Sequence, residues 1–178
     1  RRHSPVCSSV LLVCALPILR GVLFRSSPVC SSDLARDEEN PEMFHRIGLK
    51  VGAKIAEREF ERALIFCGTG MGIHIAASKC PHVHAAVVES VPSALRCITG
   101  NDCNVMSMGA HYVAPQTGIA MADAFLEHNL GDGYEDWKNF YEFHKLAYDE
   151  LEAFDYEEFK KNGFEVKKLG EDRKSTRL

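Results

Sequence analysis

Cys67 closes the apolar run Ala63–Cys67 and is followed at once by Gly-Thr-Gly-Met-Gly, residues 68–72. The alternating glycines admit backbone conformations closed to other residues. A strand that ends in a glycine loop and continues into a helix points backbone N–H groups at an anion. The loop is not a P-loop, because no Gly-Lys-Ser/Thr follows, and its spacing is not the dinucleotide G-x-G-x-x-G. N–H groups and a helix dipole also favour a thiolate. At the carboxyl end of a parallel strand, a thiolate faces the crevice where α/β proteins hold ligands. It can act there as nucleophile or as general base. A phosphatase-type nucleophile would want an arginine six residues on, and Ile73 stands there. The plainer alternative is that Cys67 is a small buried hydrophobe.

Two further segments carry polar groups. "TGNDCNVMSMGA" (99–110) sets Asn101, Asp102 and Asn104 just before an apolar run. They suit a turn, or Asn101 donates a hydrogen bond to a substrate oxygen. "CPHVHAAVV" (80–88) holds His82 and His84, which read first as structural or exposed.

The elements that would position these groups alternate. Asn40 as N-cap and Pro41 at the first helical position open a helix over about 41–59, with Met43, Phe44, Ile47, Val51 and Ile55 on one face. Strands are predicted at 62–67, 83–88 and 104–109. Helices are predicted at 73–79, 92–98 and 115–130, the last with a proline at its start. Alternation of this kind gives an α/β domain with a parallel sheet and right-handed crossovers.

The 178 residues suffice for a domain with a real core, yet the ends read differently from the middle. Residues 1–34 imitate a secretory signal, but the run Val10–Leu19 is too short to span a bilayer. "CALPI" (14–18) and "VCSSDL" (29–34) back-translate as two frames of one DNA stretch, GTGTGCTCTTCCGATCT. "DRKSTRL" (172–178) opens with the reverse complement of part of it. Segments 1–34 and 171–178 therefore resemble translated sequencing adapter and are set outside the fold. Residues 35–133 form the α/β domain, and 134–170 a helical extension.

Between 35 and 170 there are 14 Lys and Arg against 22 Asp and Glu, a net charge of −8. That disfavours nucleic acid or an anionic membrane as partner. Cys67, Cys80, Cys97 and Cys103 make no C-x-x-C, and the histidines fit no zinc spacing. Free thiols indicate the cytoplasm. The extension is acidic and aromatic: Trp137, Phe140, Tyr141, Phe143, Tyr148 and Phe154 are too many for a solvated helix. They pack on the domain or on a partner subunit, or one of them covers the site.

"ALIFCGTGMGIHIAASKCPHVHAAVV" followed by "SALRCITGNDCNVMSMGA" resembles the type B ribose-5-phosphate isomerase and galactose-6-phosphate isomerase family over roughly 41–130. The resemblance implies a Rossmann-like three-layer α/β sandwich, a homodimer or homotetramer with sites at subunit interfaces, and a small-molecule sugar phosphate as substrate. It implies aldose–ketose isomerisation without metal or organic cofactor. Carried over, Cys67 is the base that moves a proton between C1 and C2, with Thr69 beside it as a catalytic group. Gly68, Gly70, Met71 and Gly72 complete the loop whose N–H groups hold an enediolate, and Asn101 binds sugar hydroxyls.

The departures from that pattern are specific. The family's first strand with its Asp-His pair is not seen, so the chain reads as lacking its first β-α-β portion, with an exposed sheet edge and poor solubility expected. Gly100 stands where a ring-opening histidine is usual, and His84 where an arginine is usual. The phosphate-gripping arginines after 115–130 are replaced by "GDGYEDWK", where only Lys138 is basic. A substrate that needs no ring opening, such as a four-carbon sugar phosphate, fits the missing histidine; an unphosphorylated sugar also stays open. The alternatives to an enzyme are a non-catalytic sugar- or phosphate-binding module and a structural subunit of a hetero-oligomeric isomerase.

Overall fold

The computed structural model describes the backbone of residues 10–14 and the whole of residues 42–165. The chain divides into two compact units, Arg1–Asp132 and Gly133–Leu178.

The first unit is built on four parallel strands in the order β1-β2-β4-β3. They are β1 (Val10–Cys14), β2 (Arg62–Cys67), β3 (Ala85–Val87) and β4 (Val105–Gly109). The helices α1 (Phe44–Ala56), α2 (Met71–Ala77), α3 (Val91–Thr99) and α4 (Pro115–Leu126) cover the sheet. Every residue of β2 and β4 is buried, as expected of central parallel strands with both faces covered. Alternation divides β2 between two cores. Leu64 and Phe66 join Met106, Met108, Ala94, Ile98, Met121 and Phe125 beneath α3 and α4. Ala63, Ile65 and Cys67 join Ile47, Val51, Ile55, Ile73 and Ala77 beneath α1 and α2. The result is the parallel α/β sheet that the strand–helix alternation predicts, in the three-layer sandwich that the family resemblance implies.

One expectation is corrected. The sequence reading sets residues 1–34 outside the fold, yet Val10–Cys14 pairs along β2 from Val10↔Arg62 to Cys14↔Phe66. A central strand presents backbone donors and acceptors on both sides, and β1 supplies the partners on the side the sequence reading left open.

Helix boundaries also shift. α1 begins at Phe44 after Met43, which makes no side-chain cap; the expected Asn40–Pro41 start lies outside the described residues. Its buried face includes Gly48 and Gly52 beside Ile47, Val51 and Ile55, whereas Met43 and Phe44 are exposed. A Cβ on Gly48 would lie 2.6 Å from the Ile73 carbonyl oxygen, so α1 rests directly on α2. α3 begins with a capping box between Ser90 and Ser93. α4 ends at Leu126 rather than near 130. There the buried Arg62 guanidinium donates to the carbonyls of Phe125 (2.7 Å) and Leu126 (3.3 Å) and to Asn129 Oδ1 (2.9 Å). A cation on the last carbonyls satisfies a helix's unpaired acceptors and its dipole together.

The second unit holds α5 (Phe140–Glu152) and α6 (Tyr156–Lys161). Phe140 is buried between the rings of Tyr134 and His144, at centroid distances of 3.7 and 3.9 Å. Asp155 caps α6 by accepting from Glu158 N–H at 2.7 Å. Trp137, Tyr141, Phe143, Phe154 and Phe164 are exposed.

Candidate active site

β2 ends at Cys67, paired in register with Gly109 at the end of β4. The thiol is buried on the α1/α2 side of the sheet. The chain then turns back on itself. Gly70 adopts φ +75°, a left-handed conformation that glycine alone enters freely. That turn aims the Gly70 N–H at Cys67 Sγ, 3.2 Å away. A backbone N–H thus reaches the sulfur from within the glycine loop.

Other groups hold the turn. Ser107, fully buried in β4, donates through Oγ to the Gly70 carbonyl at 2.6 Å. Thr69 Oγ1 accepts from Met71 N–H at 3.3 Å, which leaves its own hydroxyl hydrogen to donate. Gly72 lies in the first turn of α2 with the Phe44 ring packed directly over it. Met71 is 49 % exposed. The structure thus gathers Cys67, Gly68, Thr69, Gly70, Met71 and Gly72 at one place, the carboxyl end of the central strands.

Asn101 is not among them. It follows α3 at the amino end of β4, and its Nδ2 donates to the Arg96 carbonyl at 3.2 Å. The ladder from Ala63↔Val105 to Cys67↔Gly109 lies between the two positions, about 13 Å at ~3.3 Å per residue. Within one chain, Asn101 and Cys67 sit at opposite ends of the sheet.

The other polar candidates are structural. Asn104 Nδ2 donates to the His82 carbonyl at 2.7 Å, and its Oδ1 accepts from His84 N–H at 2.9 Å. This bracket aligns the start of β3. Cys97 and Cys103 are buried together at the amino end, where Cys103 N–H donates to the Cys97 carbonyl at 3.0 Å. The hydrogen bond between the two thiols, and then burial, push Cys97 far above the ordinary thiol range; the same hydrogen bond lowers Cys103. Among the described residues no group of three or more His, Cys, Asp or Glu is placed to hold a metal.

Two groups at the site escaped the sequence reading. Ser107 is one; a polar residue inside a fully buried strand was the available signal. His111 is the other. Its backbone N–H donates to the Gly68 carbonyl at 3.0 Å, and its exposed ring lies against Gly68. The signal was its position, two residues past the carboxyl end of β4.

Comparisons with known proteins place the chain in a family. The family pattern described as Ribose/Galactose Isomerase matches residues 22–139. The chain is 37% identical over 125 residues to the 4-deoxy-4-sulfo-D-erythrose isomerase of a Clostridium species (strain MSTE9), covering 70% of this chain and 77% of that protein. It is 33% identical over 88 residues to D-erythrulose-4-phosphate isomerase 2 of Mycolicibacterium smegmatis, covering 49% and 55%. The fold matches ribose-5-phosphate isomerase B from Mycoplasma genitalium with TM-score 0.67 at 21% identity, over 85% of this chain and 98% of that one. The chain belongs to the ribose/galactose isomerase family.

Proposed function

We propose that this aldose–ketose isomerase acts on a four-carbon sugar carrying a terminal anionic group, phosphate or sulfonate, with Cys67 as its base. The thiolate takes the proton from C2 of the open-chain aldose, and electrons move through C1=C2 onto O1. The enediolate so formed lies against the loop N–H groups of residues 68–72. The thiol then returns a proton to C1 to give the ketose. The observation that carries this reading is the Gly70 N–H on Cys67 Sγ at 3.2 Å. An ordinary buried cysteine has no need of a left-handed turn that brings a donor to it.

Two points support the short substrate. Gly100 leaves no side chain before Asn101 to open a ring, and a phosphorylated tetrose aldose has no ring to open. Two of the relatives above are named for four-carbon sugars or their sulfonate analogue.

The assembly is a homodimer or homotetramer in which Asn101 of a second copy reaches the loop. Asn101's place at the far end of the sheet supports this. So does the exposed apolar surface of Met71, Ile75 and Phe44 beside the loop.

Proton NMR in D2O with 4-deoxy-4-sulfo-D-erythrose, D-erythrose 4-phosphate and ribose 5-phosphate tests the reading. Deuterium at C2 of a tetrose derivative, lost with Cys67→Ala, is the expected result. Equal rates on ribose 5-phosphate would remove the case for a tetrose. Binding without exchange would make the chain a sugar-binding module.

A further inference from the structure

The amino end of the sheet carries a pair of sulfur atoms that the isomerase chemistry does not use. Cys97 lies near the end of α3, and Cys103 lies two residues before β4. Between them the chain reverses. Asp102 takes φ +48°, a left-handed conformation, and gives its N–H to the Ile98 carbonyl at 3.1 Å, one way of ending a helix. The next N–H, that of Cys103, donates to the Cys97 carbonyl at 3.0 Å. Cys103 is thereby laid back along α3, and both side chains enter the core beneath α3 and α4.

Residues joined by a backbone hydrogen bond have Cα atoms within the span of roughly 4.4–6.8 Å that a disulfide bridges. The two thiols are already in hydrogen-bond contact. That contact lowers Cys103 below the ordinary thiol range, against the opposing effects of burial and the Asp102 carboxylate. Cys103 keeps 8 % of its surface in solvent, beside exposed Asn101, which suits an oxidant little larger than water. Cys67 belongs to the other core, across the sheet, so it is no competing partner.

We propose that Cys97 and Cys103 form a redox site, at which hydrogen peroxide makes a reversible disulfide that closes the loop carrying Asn101. The Cys103 thiolate attacks one peroxide oxygen and the O–O bond breaks. With uptake of a proton this leaves a sulfenic acid and one water. The Cys97 sulfur then attacks the Cys103 sulfur, and its thiol proton departs with the hydroxyl as a second water. The two sulfurs give up two electrons in all, and one peroxide becomes two waters.

Cys97 is held in α3, and Cys103 is held by the run into β4. Drawing the sulfurs into a covalent bond is therefore absorbed by residues 98–102. Asn101 is among them, with its Nδ2 on the Arg96 carbonyl at 3.2 Å. The bridge itself does not depend on the isomerase reading. Its effect on catalysis rests on that reading: if Asn101 binds the sugar of a neighbouring copy, oxidation weakens binding more than chemistry.

Full-length protein is treated with hydrogen peroxide at a dose that oxidises free cysteine in the same solution. It is then unfolded, alkylated and cleaved before Asp102, which separates the two cysteines. Mass spectrometry should find the two peptides joined, and dithiothreitol should part them. Cys97→Ala should stop at a Cys103 sulfenic acid that dimedone traps, and Cys103→Ala should leave Cys97 reduced. Melting curves check that both variants fold, and the bridge should raise Tm of the unaltered protein by about 5 °C. Both cysteines alkylated after treatment, or either one joined to a different cysteine, would overturn the redox site. For the second claim, oxidised and reduced Cys67-intact protein are compared on D-erythrose 4-phosphate and 4-deoxy-4-sulfo-D-erythrose. KM should rise about fivefold, near the loss of one hydrogen bond, and the rise should be absent from Asn101→Ala and from Cys103→Ala. A bridge that forms with KM unchanged would overturn the link to Asn101 and leave the redox site standing. Unaltered, reduced protein that turns over neither sugar would overturn the isomerase reading and that link together, with the bridge judged by mass alone.

Discussion

The two ends of the parallel sheet each hold buried thiols, and they treat them in opposite ways. At the carboxyl end, Cys67 meets a backbone donor delivered by a left-handed turn, a buried serine that holds the turn, and an exposed imidazole one residue on. At the amino end, Cys97 and Cys103 meet each other, and the nearby Arg62 guanidinium is committed to the end of α4. Burial is common to both ends. What differs is the donor on sulfur, a loop N–H for Cys67 and the buried Cys97 thiol for Cys103, and only the first stands beside groups that a substrate can meet.

The sharpest way to break this contrast is Cys67→Ala. Isomerisation should fall at least about a hundredfold, in line with the loss of a general base, while the melting temperature stays near that of the unaltered protein. A stable, active variant would dissolve the distinction between the ends. Mixing Cys67→Ala with Asn101→Ala comes next. If the two residues meet across copies, hybrids regain one intact site and the mixture should recover about a quarter of full activity, as random pairing in a two-fold dimer requires. No recovery would confine the site to one chain. Arg62→Ala should do the reverse of Cys67→Ala. It removes donors from three acceptors at the end of α4 and should cost about 2–4 kcal/mol. That is a drop of roughly 5–15 °C in Tm with KM unchanged. The smallest effect concerns reactivity. Cys97, held protonated by its partner and by burial, should resist iodoacetamide at about pH 8 until the protein is unfolded, as mass spectrometry would show.

Much of the carboxyl end was legible in the sequence because its signals are local. The strand, the glycines and the thiol follow one another within eleven residues, 62–72, and local order fixes their geometry. The strands at 83–88 and 104–109 were placed nearly right for the same reason, and appear as 85–87 and 105–109. What was not legible depends on separation. His111 lies 43 positions after Gly68 and Ser107 37 positions after Gly70. Only the pairing of β2 with β4 brings them together. The pairing of β1 was missed for a different reason. Residues 10–14 were set aside with the rest of 1–34 on the codons of 14–18 and 29–34, whereas a sheet edge responds only to backbone and apolar side chains. Asn104 shows the converse, a polar residue in a promising motif whose amide is spent on the backbone of His82 and His84.

The alternation of β2 between two cores has a consequence for how this protein can change. Cys67 lies on the α1/α2 side because it is an even number of residues from Ala63 and Ile65. Loss or gain of one residue within the strand would reverse that parity. Phe66 and the thiol would trade layers, and sulfur would face α3 and α4, away from the Gly70 donor. Substitutions can therefore accumulate along β2 as long as volume is kept, but insertions and deletions cannot. Variation in length across relatives of this chain should stop at the ends of that strand.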